Sequence, residues 1–223
     1  MTIRARRCAP PALLMLAIAG LVAGCGGGGD SAAAPATTPA TTTAPDPRAG
    51  YFTQQESDAF NPPLAKLNAA AARYDRQVQA CDREAQRLFN AGRPPRVAIR
   101  CHLQLIGALR DASRDVTRAA RGIDGDFRPQ CTRQLRRFVA SSVAMQAAWE
   151  KNLDDWNAYA RGDHAATLRI PTDGDRAQAR TRAVLAGDSA IVKLSRACYT
   201  KADLDQAAAA ATTTTTTTTG TTK

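Results

Sequence analysis

The sequence predicts an all-α domain, a disulfide-stapled antiparallel four-helix bundle in up-down-up-down order. Three observations predict it. Small and apolar residues recur at alternating spacings of three and four within residues 64–198, the mark of one face of a helix. Proline and glycine separate those runs, and no segment shows the sustained period-two alternation of a strand. Finally, Cys81, Cys101, Cys131 and Cys198 fall where antiparallel helices bring cysteines together in pairs.

Asn61-Pro62-Pro63 opens the first helix and Gly92 closes it, the expected asymmetry of proline before and glycine after. Its seam of Leu64, Leu67, Ala71, Tyr74, Val78, Cys81, Ala85 and Leu88 is an unbroken heptad pattern. The second helix runs from about Pro95 to Gly122, with Cys101, Leu105, Ala108, Ala112, Val116 and Ala119 on one face. The third runs from about Pro129 to Gly162. Its stripe is Cys131, Leu135, Phe138, Ser142, Met145, Trp149, Leu153, Trp156 and Ala160. The fourth follows Pro171, with Thr172 or Asp173 as N-cap, and carries Val184, Gly187, Ile191, Leu194 and Cys198. At 1.5 Å per residue these are rods of roughly 40–50 Å, and short connections make neighbours antiparallel.

Four cysteines allow three pairings. Cys81 lies shortly before the first turn and Cys101 shortly after it. Cys131 begins the third helix and Cys198 ends the fourth, at one end of the second hairpin. Pairing Cys101 with Cys131 would span about 25 Å along the axis, far beyond disulfide reach. The expected bridges are therefore 81–101 and 131–198. No C-x-x-C pair is present, so neither a thioredoxin-like centre nor a zinc knuckle has support.

The ends of the chain differ in kind from its middle. Arg4, Arg6 and Arg7 precede an apolar run from Ala12 to Ala23, which closes on Leu21-Val22-Ala23-Gly24-Cys25. The run is too short for a membrane span, which needs roughly 20 apolar residues, and suits an export signal. Basic start, short apolar run and an aliphatic-small-small-Cys ending resemble the lipobox signal of bacterial lipoproteins. That resemblance implies lipid transfer to the Cys25 sulfur, cleavage after Gly24 by the type II signal peptidase, and acylation of the new amino terminus. Several acyl chains anchor stably where one does not. Gly26, rather than an aspartate that would retain the protein at the inner membrane, implies outer-membrane delivery and a domain facing the periplasm. An oxidising compartment agrees with four paired cysteines.

Residues 1–24 thus read as signal, 25–50 as lipidated cysteine and linker, 51–205 as the domain and 206–223 as a tail. The linker is Gly, Ser, Ala, Pro and Thr for most of its length, and the tail is largely threonine. Such segments bury too little surface to offset their ordering entropy and are expected to be disordered. Their Ser/Thr content also suits O-glycosylation.

The whole chain of 223 residues has Lys+Arg 30 against Asp+Glu 20, a formal charge of +10. Arg110, Arg114, Arg118 and Arg121 share helical spacing, and Arg133, Arg136 and Arg137 begin the next helix. An export signal makes nucleic acid a poor partner for this basic face. Anionic phospholipid, lipopolysaccharide or peptidoglycan is what an envelope protein meets. Asp111–Arg114 and Asp115–Arg118 at i,i+3 offer the plainer reading of a solvated face. Of these arginines, Arg114, Arg118, Arg133 and Arg137 are the binding candidates.

Catalytic motifs are missing. The histidines are His102 and His164, and no H-E-x-x-H, G-x-S-x-G or P-loop occurs. Glu56, Glu84 and Glu150 do not form the Glu-x-x-His pairs of a di-iron bundle. Met145 and His102 could ligate haem between helices, but methionine at a core position is far more often packing. No metal, cofactor or enzyme activity is expected. Trp149, Leu153 and Trp156 stand on one face at i, i+4 and i+7, extended by Phe138 and Met145. They read first as core, and otherwise as a groove for a ligand or partner. The sequence thus predicts a lipid-anchored, non-enzymatic binding or scaffolding protein. Alternatives are a binder of a small apolar ligand in the bundle core and an inhibitor of an envelope-directed hydrolase.

Overall fold

Thr53 begins the folded domain by capping its first helix. Its Oγ1 accepts from the Glu56 N–H at 3.3 Å, while its own N–H donates to Glu56 Oε2 at 2.6 Å, a reciprocal capping box that satisfies two otherwise unpaired donors. The structure, a computed structural model, describes residues 48–216, with side chains to residue 209. The signal, Cys25 and most of the linker lie outside the described residues. Within them the fold is all-helical: α1 Gln54–Asn90, α2 Arg96–Arg121, α3 Pro129–Ala160, α4 Ala166–Leu185, α5 Ala190–Cys198 and α6 Lys201–Thr216. Among the described residues there is no strand, and no helix is long and apolar enough to cross a membrane.

The first helix starts at Gln54, seven residues before the Asn61-Pro62-Pro63 opening that the sequence suggested, and Pro62 and Pro63 lie inside it. Proline removes a helical hydrogen bond and crowds the preceding turn. Here the capping box and the burial of Phe60, edge-on to Phe138 at 5.3 Å, hold the extra turns. Burial then recurs every seventh residue, at Phe60, Leu67, Tyr74, Cys81 and Leu88. The last four are one half of the expected seam, which Phe60 extends, and the other half, Leu64, Ala71, Val78 and Ala85, is half-buried.

α1 packs on α2, α2 on α3, and α3 on both α4 and α5. The core follows this order. Leu105, Ile106, Leu109, Ala112 and Val116 of α2 meet Leu135, Phe138, Met145 and Trp149 of α3. Trp149 is 1% exposed, packs edge-on to Tyr74 at 5.1 Å, and donates its Nε1 hydrogen to Thr181 Oγ1 at 2.9 Å. Burial beside these rings pushes the Tyr74 hydroxyl up to about 12.

The expected single fourth helix is instead two. α4 begins at Ala166, ahead of Pro171, and ends at Leu185. The residues that follow include Gly187, whose φ of +61° favours glycine, before α5 starts at Ala190. Ion pairs explain why α4 starts early. Arg169 Nε donates to Asp155 Oδ1 at 2.7 Å and Arg169 Nη2 reaches Asp163 Oδ2 at 3.1 Å, holding the turns before Pro171 onto α3. One turn further, buried Asp173 receives Lys151 and Arg176. Gly187, placed in the seam by spacing, is exposed between the helices. The expected coreless tail also differs in its first part, since α6 continues to Thr216 and buries Ala207.

Both expected disulfides are present. Cys81–Cys101 joins α1 to α2 with Cα atoms 5.8 Å apart, and Cys131–Cys198 joins α3 to α5 with Cα atoms 4.8 Å apart.

Candidate functional site

The helices place their ends in two groups. Arg48 to Phe52, the start of α1, the α2–α3 loop, the start of α3 and the α5–α6 junction meet at what we call the tether end, because the linker enters there. The Phe52 N–H donates to the Cys198 carbonyl at 2.8 Å and the Arg128 N–H to the Gly50 carbonyl at 3.1 Å. A Cβ on Gly50 would meet the Arg128 backbone nitrogen at 2.9 Å, and its φ is +78°, so this crossing needs glycine. Phe52 stands edge-on to Phe127 at 5.2 Å and to Tyr199 at 5.5 Å. The Arg128 guanidinium lies over the Tyr51 ring, 3.7 Å from its centroid.

Against this frame lies an open recess of about 610 Å³, lined by Phe127, Pro129, Thr132, Arg133, Arg136 and Arg137. All three arginines are exposed, and none has an acidic partner among the described residues. The other two predicted arginines differ. Arg114 pairs with Asp111 at 3.3 Å and Arg118 with Asp115 at 3.7 Å. Lys66 also reaches Asp115 at 2.6 Å, and its hydrogen bond holds that carboxyl below the usual range. The basic face read as one surface is therefore two. Its α2 part is largely compensated, while the first two turns of α3 are not. Arg136 joins Arg133 and Arg137 here because the three lie within little more than one turn.

The aromatic stripe is also divided. Phe138, Met145 and Trp149 are filled core, Leu153 is half-buried against it, and only Trp156 reaches an opening. The stripe is therefore core as far as Leu153. After Trp149, burial moves to Asn152 and Asp155, because α4 lies on that side and bonds to both. Asn152 Nδ2 donates to the Ile170 carbonyl at 3.2 Å. His102 and Met145 do not share a site. Met145 is buried in the core, while the His102 ring stacks on Trp156 at 4.1 Å and its Nε2 lies 3.2 Å from Asp82 Oδ1.

Trp156 opens onto an apolar cleft of about 220 Å³ at the other, far end. Ile99, Trp156, Tyr159, Ile170 and two prolines, Pro95 and Pro171, form most of its wall. It gathers side chains from the ends of α1 and α3 and the starts of α2 and α4. Sequence reasoning reached only Trp156. The other residues are scattered over four helices, and no single-helix periodicity connects them.

The far end also holds the most buried charge. Asp155 and Asp173 are 7% and 4% exposed, and Lys151 bridges them from α3. The Lys151 hydrogen bond holds the Asp173 carboxyl below its usual range against the opposing effect of burial. With Arg169 and Arg176 also engaged, these carboxylates are occupied in fastening α4 to α3.

Comparison of the chain with protein-family models, curated proteins and solved structures finds no match.

Proposed function

We propose that this chain is a lipid-anchored cell-envelope protein whose helical domain binds rather than catalyses. The carrying observation is Leu21-Val22-Ala23-Gly24-Cys25 behind a basic start and a short apolar run. Acylated Cys25 anchors the protein in the membrane, with outer-membrane delivery and a periplasmic domain. The pairing of all four domain cysteines supports an oxidising compartment. In this reading the fold is an up-down-up-down bundle whose fourth position is shared by α4 and α5.

The first surface such a domain meets is the membrane that holds it. Arg133, Arg136 and Arg137 lie at the end where the linker enters, and each arginine close to anionic lipid contributes roughly 1 kcal/mol. The recess therefore docks the domain on anionic phospholipid and orients it with its far end outward.

The anchor is tested by replacing Cys25→Ser and following incorporation of labelled palmitate. The variant is expected to take up none and to remain an unprocessed precursor. Continued labelling would contradict the reading.

A further inference from the structure

The far end presents apolar surface that a membrane-docking role at the tether end does not use. Among the described residues the large hydrophobic side chains that stand exposed are Phe89 at 77%, Val97 at 64% and Leu168 at 81%. All three belong to this end. Phe89 lies one turn beyond Ala85 of the cleft wall and Leu168 one turn before Pro171, so the apolar surface continues outward from the cleft along two helices. An unpartnered patch of this kind marks an interaction site.

The cleft is built rather than incidental. Trp156 is fixed by its stack on buried His102, with 14° between the ring planes. Tyr159 stands edge-on to Trp156 at 6.2 Å. Charged residues of both signs neighbour the wall, but Glu84 is paired with Arg87, and Asp155 and Asp163 with Arg169. Arg96 and Arg100, beside the wall residues of α2, and Arg161, which follows Tyr159, have no acidic partner among the described residues.

Size and composition indicate the occupant. A volume of about 220 Å³ is below the roughly 300–1,000 Å³ of small-molecule sites, yet suits one large side chain. Tryptophan, tyrosine and arginine are the residues enriched where protein partners bind most strongly. Three uncompensated guanidiniums call for carboxylates, which also steer association.

We propose that the far end docks a partner polypeptide, which seats one large apolar side chain in the cleft and sets acidic residues against Arg96, Arg100 and Arg161. This goes beyond the anchoring role. It rests only on the reading of the domain as a binding module, so loss of the palmitate result would leave it standing.

The test is selection of a random peptide display library of about twelve residues on the full chain. The winners are then resynthesised and their binding measured. Enriched peptides are expected to carry a Trp, Phe or Leu flanked by Asp or Glu. Two double variants alter only exposed positions, Phe89→Ser with Leu168→Ser, and Arg96→Glu with Arg100→Glu. Each is expected to weaken binding by roughly tenfold or more, the loss typical of a central contact, with helical circular dichroism unchanged. Three outcomes overturn the proposal: no enrichment, enriched peptides indifferent to both variants, or binding of laurate in the cleft with no peptide bound there.

Discussion

At the tether end a disulfide, three aromatic rings and crossing backbone segments close the structure, and charge is left outside. At the far end α4 is held to α3 by ion pairs, and apolar side chains remain exposed. The rings of Phe52, Phe127 and Tyr199 close on one another, whereas Trp156, stacked on His102 and edge-on to Tyr159, still borders an open cleft. The contrast teaches that closure and availability divide the molecule. The end that receives the linker offers an electrostatic surface. The opposite end offers an apolar one, beside the ion pairs that fasten α4 to α3.

The largest effect is expected at the disulfides. Cys131–Cys198 closes a separation of 67 residues and Cys81–Cys101 one of 20. In the chain-entropy model their removal costs about 4 and about 3 kcal/mol. Alanine pairs at each site, compared by denaturant unfolding without reductant, should rank in that order. The reverse order would show that the tether end does not depend on its bridge as described.

A smaller effect is expected from Asp173→Asn. Removing the carboxylate takes away the charged partner of Lys151 and Arg176, a loss of about 1–3 kcal/mol, moderated because both cations reach solvent. The sign with pH follows from the depressed carboxyl of Asp173. A depressed carboxyl adds stability above its unfolded value near roughly 4 and loses it as pH falls through the folded value. The gap between parent and variant should be full at neutral pH and shrink on acidification below about 4. A gap independent of pH would mean that the ion pairs do not fasten α4.

The smallest effect is expected at the exposed apolar side chains. Phe89→Ser with Leu168→Ser should change stability by no more than about 0.5 kcal/mol, because both side chains are exposed. A loss of several kcal/mol would place them in the core and remove the far end as a free surface.

Much of the fold was legible because helices of this length repeat their burial. The seam of α1 keeps its seven-residue period, and cysteines set by that period meet as expected. Three features were not legible. Pro62, Pro63 and Pro171 read as boundaries because proline breaks an isolated helix, yet tertiary contacts of Phe60 and Arg169 carry the helices through them. The stripe of α3 was read as straight to Ala160, but which face is buried depends on where the next helix lies. Asn152 and Asp155 show that α4 decides it. The arginines looked equivalent because spacing reveals like charges and hides long-range partners. Lys66 beside Asp115, 49 positions away, is such a case. The recess keeps Arg133 and Arg137 from the sequence reading, while the cleft keeps only Trp156.

Vesicle binding is the direct test of the proposal that the tether-end arginines face an anionic membrane. The chain from residue 25 onward, with Cys25→Ser, would be co-sedimented across salt with vesicles of phosphatidylglycerol and phosphatidylethanolamine. The parent should bind at low salt and release as screening increases. Changing Arg133, Arg136 and Arg137 together to Ser should weaken binding roughly a hundredfold, whereas Arg114→Ser with Arg118→Ser should leave it almost unchanged. Equal binding by parent and triple variant, or equal loss in both variants, would contradict the proposal.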